Sequence, residues 1–422
     1  MQKKLLGMAV ATALAAPAAA FAQSAVQVYG TAHVSFNSTK YSAATDGTPA
    51  ISKMQVASHA SNFGIRSSET LGGGMTGWVQ YEFNVKMERD NDVTGGNGTS
   101  RNTAIGLRGN FGNVFFGTWE TPFAQTFRMW DVGTIGGWGP TTSVMYRREQ
   151  TATAPSRNCG NIPAGAPLAT VPTAICYVGD SSTGALPQGY ALWRRYGSAV
   201  HYESPMFSGF QFKLGYQPNE GRAIAGTSPA LTTGGASGGP VVEENPSSWS
   251  ASVAWTGMGG KARAFLANMS AKDWSTVGQT DGGYIIGGGY NFGVVDVGVA
   301  YYNYDYKITT AGVTGDNKAK DFAVGVAIPL GSGKIGLSYA QAADMTTPGG
   351  KLDNGAKMYN VGYEWALSKR TAVGFGYAAI KNDPLQTFTW TGMAAAQTGN
   401  TQSAVLAGSD PSNIFVAFRH SF

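Results

Sequence analysis

Residues 75–88 read "MTGWVQYEFNVKME". Val79, Tyr81, Phe83, Val85 and Met87 alternate with Gln80, Glu82, Asn84, Lys86 and Glu88. Successive side chains of a strand leave opposite faces, so this stretch is a strand with one apolar and one polar face. The pattern recurs in "FQFKLGYQ" (210–217), where Phe210, Phe212, Leu214 and Tyr216 oppose Gln211, Lys213 and Gln217. In "SWSASVAW" (248–255), Trp249, Val253 and Trp255 oppose Ser248, Ser250 and Ser252. It recurs again in "NIFVAFRHSF" (413–422), where Ile414, Val416, Phe418 and Phe422 carry the period of two to the last residue.

Sixteen segments of this kind are predicted, at 26–36, 52–67, 75–88, 101–110, 112–118, 194–204, 207–217, 247–256, 260–270, 282–291, 293–306, 320–329, 333–341, 357–367, 370–380 and 412–422. Their connections alternate in length. Tight Gly-, Pro- or Ser-rich turns fall at 70–74, 110–112, 204–208, 256–260, 291–293, 329–333 and 367–370. Long polar connections fall at 37–51, 89–100, 119–193, 218–246, 271–281, 307–319, 342–356 and 381–411. Short turns at one end and long loops at the other are the pattern of an up-and-down antiparallel transmembrane β-barrel, with periplasmic turns and extracellular loops. An even strand count lets the last strand close against the first. No capped segment with helical periodicity is present.

Composition agrees. Charged residues are 13% of the chain, against about 25% in ordinary globular proteins. Residues 1–22 have the form of a cleavable signal peptide: Lys3 and Lys4, the apolar "LLGMAVATALAAPAAA", then the small–x–small "AFA". The expected mature chain is 23–422. Without Lys3 and Lys4 it carries 28 basic and 25 acidic side chains, a net charge of +3. That charge is mild and no Lys/Arg-rich run exists, which argues against nucleic acid as a partner. No later run of about 18 apolar residues supplies a membrane helix.

A soluble double sheet would turn Val, Leu and Ile inward. Here the apolar faces end in aromatics: Tyr29, Tyr81, Tyr202, Tyr216, Tyr290, Tyr339, Tyr363, Trp365 and Tyr377. Such rings form the girdles at the two interfaces of a membrane barrel, and the polar faces suit a wet interior.

Several stretches resemble the trimeric general porins of Gram-negative outer membranes, in the branch typical of β-proteobacteria. They are "VQVYGTAHV" (26–34), "SNFGIRSSETLGGGMTGWVQYE" (61–82), "AIGLRGNFGNVFFG" (104–117), "GSAVHYESPMFSGFQF" (197–212) and "FVAFRHSF" (415–422). The resemblance implies a 16-stranded barrel, a homotrimer, passive passage of small hydrophilic solutes and inorganic ions, and a third loop folded into the pore. It also implies that Phe422 helps the outer-membrane assembly machinery recognise its client. The chain departs from the family at His33, at Thr118–Trp119–Glu120 and at His420.

Charge and width at the narrowest point set selectivity. Strand phase aims Arg66, Glu82, Arg108, Lys213 and Arg419 inward. The third connection adds Glu120, Arg128, Asp131, Arg147, Arg148 and Glu149. One reading sets loop acids across the eyelet from wall basics; the other leaves the loop charges in solvated tips or trimer contacts. The Arg excess along the wall predicts a weak anion preference. Cys159 and Cys176 enclose 16 residues of that connection, and export favours a disulfide between them. A closed loop of that size stabilises by about 3 kcal/mol in the chain-entropy account.

Catalytic and cofactor motifs fail on context. "GASGG" (235–239) lies in a Gly/Thr/Ser/Pro loop rather than on a strand–turn–helix. "GSGK" (331–334) lacks the spacing of a P-loop. The four His lie away from the two Cys, so no zinc site is expected. Neither a metal nor a cofactor is therefore called for. Three readings remain: a general diffusion channel; a channel for a solute class, such as aromatic compounds or sugars, stacking on Trp119, Phe123, Phe127, Trp130 or Trp138; and a barrel adhesin or enzyme.

Overall fold

A computed structural model describes residues 26–87, 101–145, 195–218, 247–272, 280–310, 313–390 and 405–422. The segment 1–22 and Arg147, Arg148, Glu149, Cys159 and Cys176 lie outside these residues.

The described strands are β1 (Gln27–Tyr41), β2 (Ile51–Ser58), β3 (Asn62–Gly72), β4 (Met75–Asn84), β5 (Thr103–Gly109), β6 (Gly112–Glu120), β7 (Arg195–Glu203), β8 (Phe210–Gln217), β9 (Ser247–Gly257) and β10 (Ala262–Lys272). They continue with β11 (Thr280–Asn291), β12 (Asp296–Thr310), β13 (Val313–Leu330), β14 (Gly333–Ala342), β15 (Thr346–Thr347), β16 (Gly350–Lys351), β17 (Ala356–Ala366), β18 (Thr371–Asn382) and β19 (Pro411–Ser421). Each pairs antiparallel with its neighbour, and β19 pairs with β1, so the sheet closes. Strands β15 and β16 form a small hairpin in a loop, and β2 and β3 are two parts of one stave. Sixteen staves result.

That split stave differs from the single strand expected at 52–67. Val34 pairs with Ser58 and Thr31 with Asn62. Three steps along β1 therefore match four on its partner, which is a β-bulge of one residue. Ala60 takes φ 52° at the bulge. The extra residue flips the side-chain phase: Met54 and Val56 point outward before it, Phe63 and Ile65 after it. A second difference lies at 307–319. Strands β12 and β13 run on to Thr310 and from Val313, so this connection is an extended hairpin rather than a long loop.

Apolar side chains cover the outside. Met54 is 69% exposed, Ile105 63% and Ile414 64%. A continuous apolar belt of this kind is compatible with hydrocarbon rather than water. The aromatic residues expected in the girdles sit on this face with one exception. Tyr29 faces Gly64 across the β1–β3 pair, donates its hydroxyl to Glu82 (3.1 Å) and lies under the Arg66 guanidinium (5.1 Å to the ring centre). It is a lumen residue. At the seam Phe422 continues the lipid-facing row, and its N–H and C=O exchange hydrogen bonds with Gly30, each 3.1 Å.

The inside is not uniformly wet. From β10 to β19 many inward positions are small and buried: Ala267, Ala300, Ala323, Ala340, Ala378 and Ala417. Larger buried residues stand among them, including Met269, Ile285, Tyr302, Met358 and Phe415. What covers them is the connection after β6.

Candidate functional site

This third loop enters the barrel at Glu120. Thr121 caps the first turn, its hydroxyl accepting the Ala124 N–H (3.0 Å), and Pro122 takes the first helical position. Single helical turns follow at Pro122–Gln125 and Phe127–Trp130. Phe123, Trp130, Ile135, Trp138, Val144 and Met145 are fully buried between loop and wall. The loop aromatics Phe123, Trp130 and Trp138 thus hold the loop down and offer no open stacking surface. Trp138 meets His59 (4.6 Å between ring centres) and Trp390 (5.4 Å), both edge-on.

The loop backbone lies directly on the wall because the wall is notched there. Added Cβ atoms at Gly298 and Gly336 would collide with the carbonyls of Trp130 and Gly133. Polar pins complete the seat. The Phe123 N–H donates to Ser250 (3.0 Å), the Tyr304 hydroxyl to the Met145 carbonyl (2.9 Å), Arg263 to the Met129 carbonyl (2.9 Å) and Lys334 to the Val132 carbonyl (3.2 Å).

The charges fall into local sets. Glu120 is buried and accepts from Arg128 (2.5 Å) and Arg195 (3.1 Å), while Arg195 also donates to Asn102 (2.9 Å). Glu82 pairs with Arg101 (2.6 Å), Glu203 with Lys213 (3.1 Å) and Glu364 with Arg419 (3.2 Å). Lys213 further donates to Gln125 of the loop (2.5 Å). Asp131 accepts from the hydroxyls of Thr134 and Thr141, 2.6 Å each. Burial raises its pKa above the ordinary carboxylate range, and these two hydrogen bonds oppose that rise. The described loop acids are therefore engaged locally rather than set bare across the opening.

Arg66 and Arg108 behave differently. Arg66 is exposed and donates to Gln27 (2.9 Å). Arg108 is exposed opposite Thr76 and Asn113, near the short-turn end. Neither forms an ion pair among the described residues. Strand phase missed Arg101, Arg195 and Glu203 as members of these sets. Glu203 follows the outward Tyr202 and was legible by parity. Arg195 stands at the end of a long loop, where no alternation precedes it.

A family profile described as Gram-negative porin matches residues 9–385. The chain belongs to the Gram-negative porin family. This porin is similar to the outer membrane porin protein 32 of Delftia acidovorans, 28% identical over the full length of both chains. It is also similar to an outer membrane porin of Bordetella pertussis, 24% identical over 74% of each chain. The structure of an anion-selective porin from Comamonas acidovorans superposes with a TM-score of 0.64 at 22% identity, covering 95% of this chain and all of that one. The closed barrel and the family together make this porin a multi-pass outer-membrane protein with a general channel function. Its family consists of channels rather than enzymes.

Proposed function

We propose that this porin passes small hydrophilic solutes and inorganic ions by diffusion with a weak preference for anions, as a homotrimer. The observation that carries the sign is the charge inventory of the lumen. Glu82, Glu120, Glu203 and Glu364 each have a basic partner, and Glu120 has two. Arg66 and Arg108 have no acid partner among the described residues. These two guanidinium-bearing side chains add exposed positive charge beyond those pairs. The porin from Comamonas acidovorans that shares this fold is anion-selective, which favours the same sign. An outer-membrane protein of Vibrio cholerae with this fold is described in a trimer form, which supports the assembly.

Reversal potentials in a KCl gradient across planar bilayers test this reading. Chloride is expected to permeate a few times better than potassium at about 0.1 M salt. The preference should fade towards 1 M, where the screening length falls to about 3 Å. Arg66→Gln with Arg108→Gln should bring the two permeabilities closer. A strong cation preference would overturn the assignment of sign, and a folded protein without conductance would overturn the channel reading.

The remaining roles belong to the same proposal. Residues 1–22 direct export and are removed. Cys159 and Cys176 join and stiffen the third connection. Phe422 serves as the assembly signal, because its backbone completes the seam with Gly30 while its ring stays on the lipid face. Deleting Phe422 is expected to lower the amount of folded barrel in outer-membrane fractions severalfold, with unchanged conductance per assembled channel. Normal yields of the truncated chain would refute that role.

A further inference from the structure

Among the described residues many lumen rings are hidden under the third loop, but Trp78 and Trp119 on the other wall are not. Trp78 on β4 and Trp119 on β6 point inward and keep part of their surface open. Their rings meet at 5.8 Å between centres, and both rest on Phe115, at 5.4 and 5.1 Å. Phe115 is buried and stacks in parallel on His201, at 4.9 Å and 9°. Gly106 makes the arrangement possible: an added Cβ there would lie 2.9 Å from the Trp78 ring. The Trp78 N–H donates to Asn113 (2.8 Å), which holds the indole across the sheet.

The faces of these two indoles that Phe115 does not cover are open to a solute in transit. The flanking charges indicate which kind. Trp78 stands directly opposite Ser68 on β3 and Gly106 on β5. Arg66 and Arg108 are each two residues along from those partners on the same face, so they are diagonal neighbours of Trp78. Diagonal positions lie about 7–8 Å apart, within reach of long side chains. Arg66, whose guanidinium lies over Tyr29 and donates to Gln27, and Arg108 thus occupy the positions on either side of Trp78, and neither has an acid partner among the described residues.

We propose that Trp78 and Trp119 form a stacking platform for ring-bearing monoanions, aromatic carboxylates above all, with Arg66 and Arg108 receiving the carboxylate. The site deepens the anion-channel reading and rests on it. The aromatic face selects for a flat ring and the guanidiniums for the negative charge. Acyclic anions pass the same wall without dwelling on it.

Single-channel recording tests the platform with benzoate, acetate and uncharged benzamide at equal ionic strength. Benzoate is expected to produce resolved current interruptions, with an apparent affinity about tenfold above acetate, the scale of one ring stacked on an indole. Trp78→Ala or Trp119→Ala should reduce benzoate to the acetate level, while Trp78→Phe keeps most of the effect. Arg66→Gln with Arg108→Gln should leave benzoate no better than benzamide. Trp249→Ala, on the lipid face, should change nothing. Open conductance in each variant reports whether the barrel has formed, and Trp78→Phe supplies a mild substitution if the alanine variants do not assemble. A conducting channel on which benzoate and acetate act alike would overturn the platform while sparing the channel. Unchanged benzoate block in both Trp→Ala variants would overturn it as well.

Discussion

Gly298→Leu and Gly336→Leu are expected to cut open-channel conductance by roughly half, because width at the narrowest point governs flow. At both positions the backbone of the third loop occupies the space that a side chain would need. The Trp130 carbonyl lies against Gly298, and the Gly133 carbonyl lies against Gly336. A leucine there must lift residues 130–133 off the wall, and the only free direction is towards the lumen. Lifting also unseats Trp130 and Ile135, both fully buried. Overpacking of this kind costs about 1–3 kcal/mol, so the current should become noisier as the loop samples more than one seat. Gly374→Ala is the control. Its added Cβ would first meet Ile135 at 3.3 Å, a contact that a slight shift of the isoleucine side chain relieves. Single-channel traces at fixed voltage make the comparison. Wild-type conductance from a folded Gly298→Leu channel would show that the loop seat does not set pore width.

Glu120→Ala is expected to lower stability by about 3–5 kcal/mol, the cost of leaving a buried charge without its partner. The side chains of Glu120 and Arg195 are 11% and 14% exposed, so neither can recover full hydration when the other is removed. Arg128 is 53% exposed at the same carboxylate and should contribute about 0–1 kcal/mol. Arg195→Ala should cost less than Glu120→Ala, since it leaves the carboxylate with Arg128. Adding Arg195→Ala to Glu120→Ala should recover part of the loss, because the stranded guanidinium is then gone. Denaturant midpoints, read from the gel shift between folded and unfolded barrel, give the four corners of the cycle. Additive single effects would show that the pair is uncoupled.

Much of this site can be read from alternation alone. Arg66, Glu82, Arg108, Lys213 and Arg419 all lie on the inward face that their apolar neighbours assign them. The bulge between β2 and β3 was legible too. The apolar positions change from even (Met54, Val56) to odd (Phe63, Ile65), and a one-residue insertion does that. Tyr29 misled because an aromatic near a strand end reads as a girdle residue. Its parity with the inward Thr31 was the contrary signal. The Glu120–Arg195 pair could not be anticipated, since 75 residues separate its members and neither carries a local pattern.

The sequence by itself determined the number of staves, the closure of last strand on first and, Tyr29 apart, which of these side chains face lipid. These follow from a side-chain period of two, a local property of extended backbone. Only the tertiary structure decided which inward positions are wet and which are dry. Ala300, Gly325 and Ala340 resemble lumen lining by parity, yet they lie under the third loop. Where that loop settles depends on burying Trp130, Ile135 and Trp138 against notches far away in the chain, a long-range packing choice that no local period encodes.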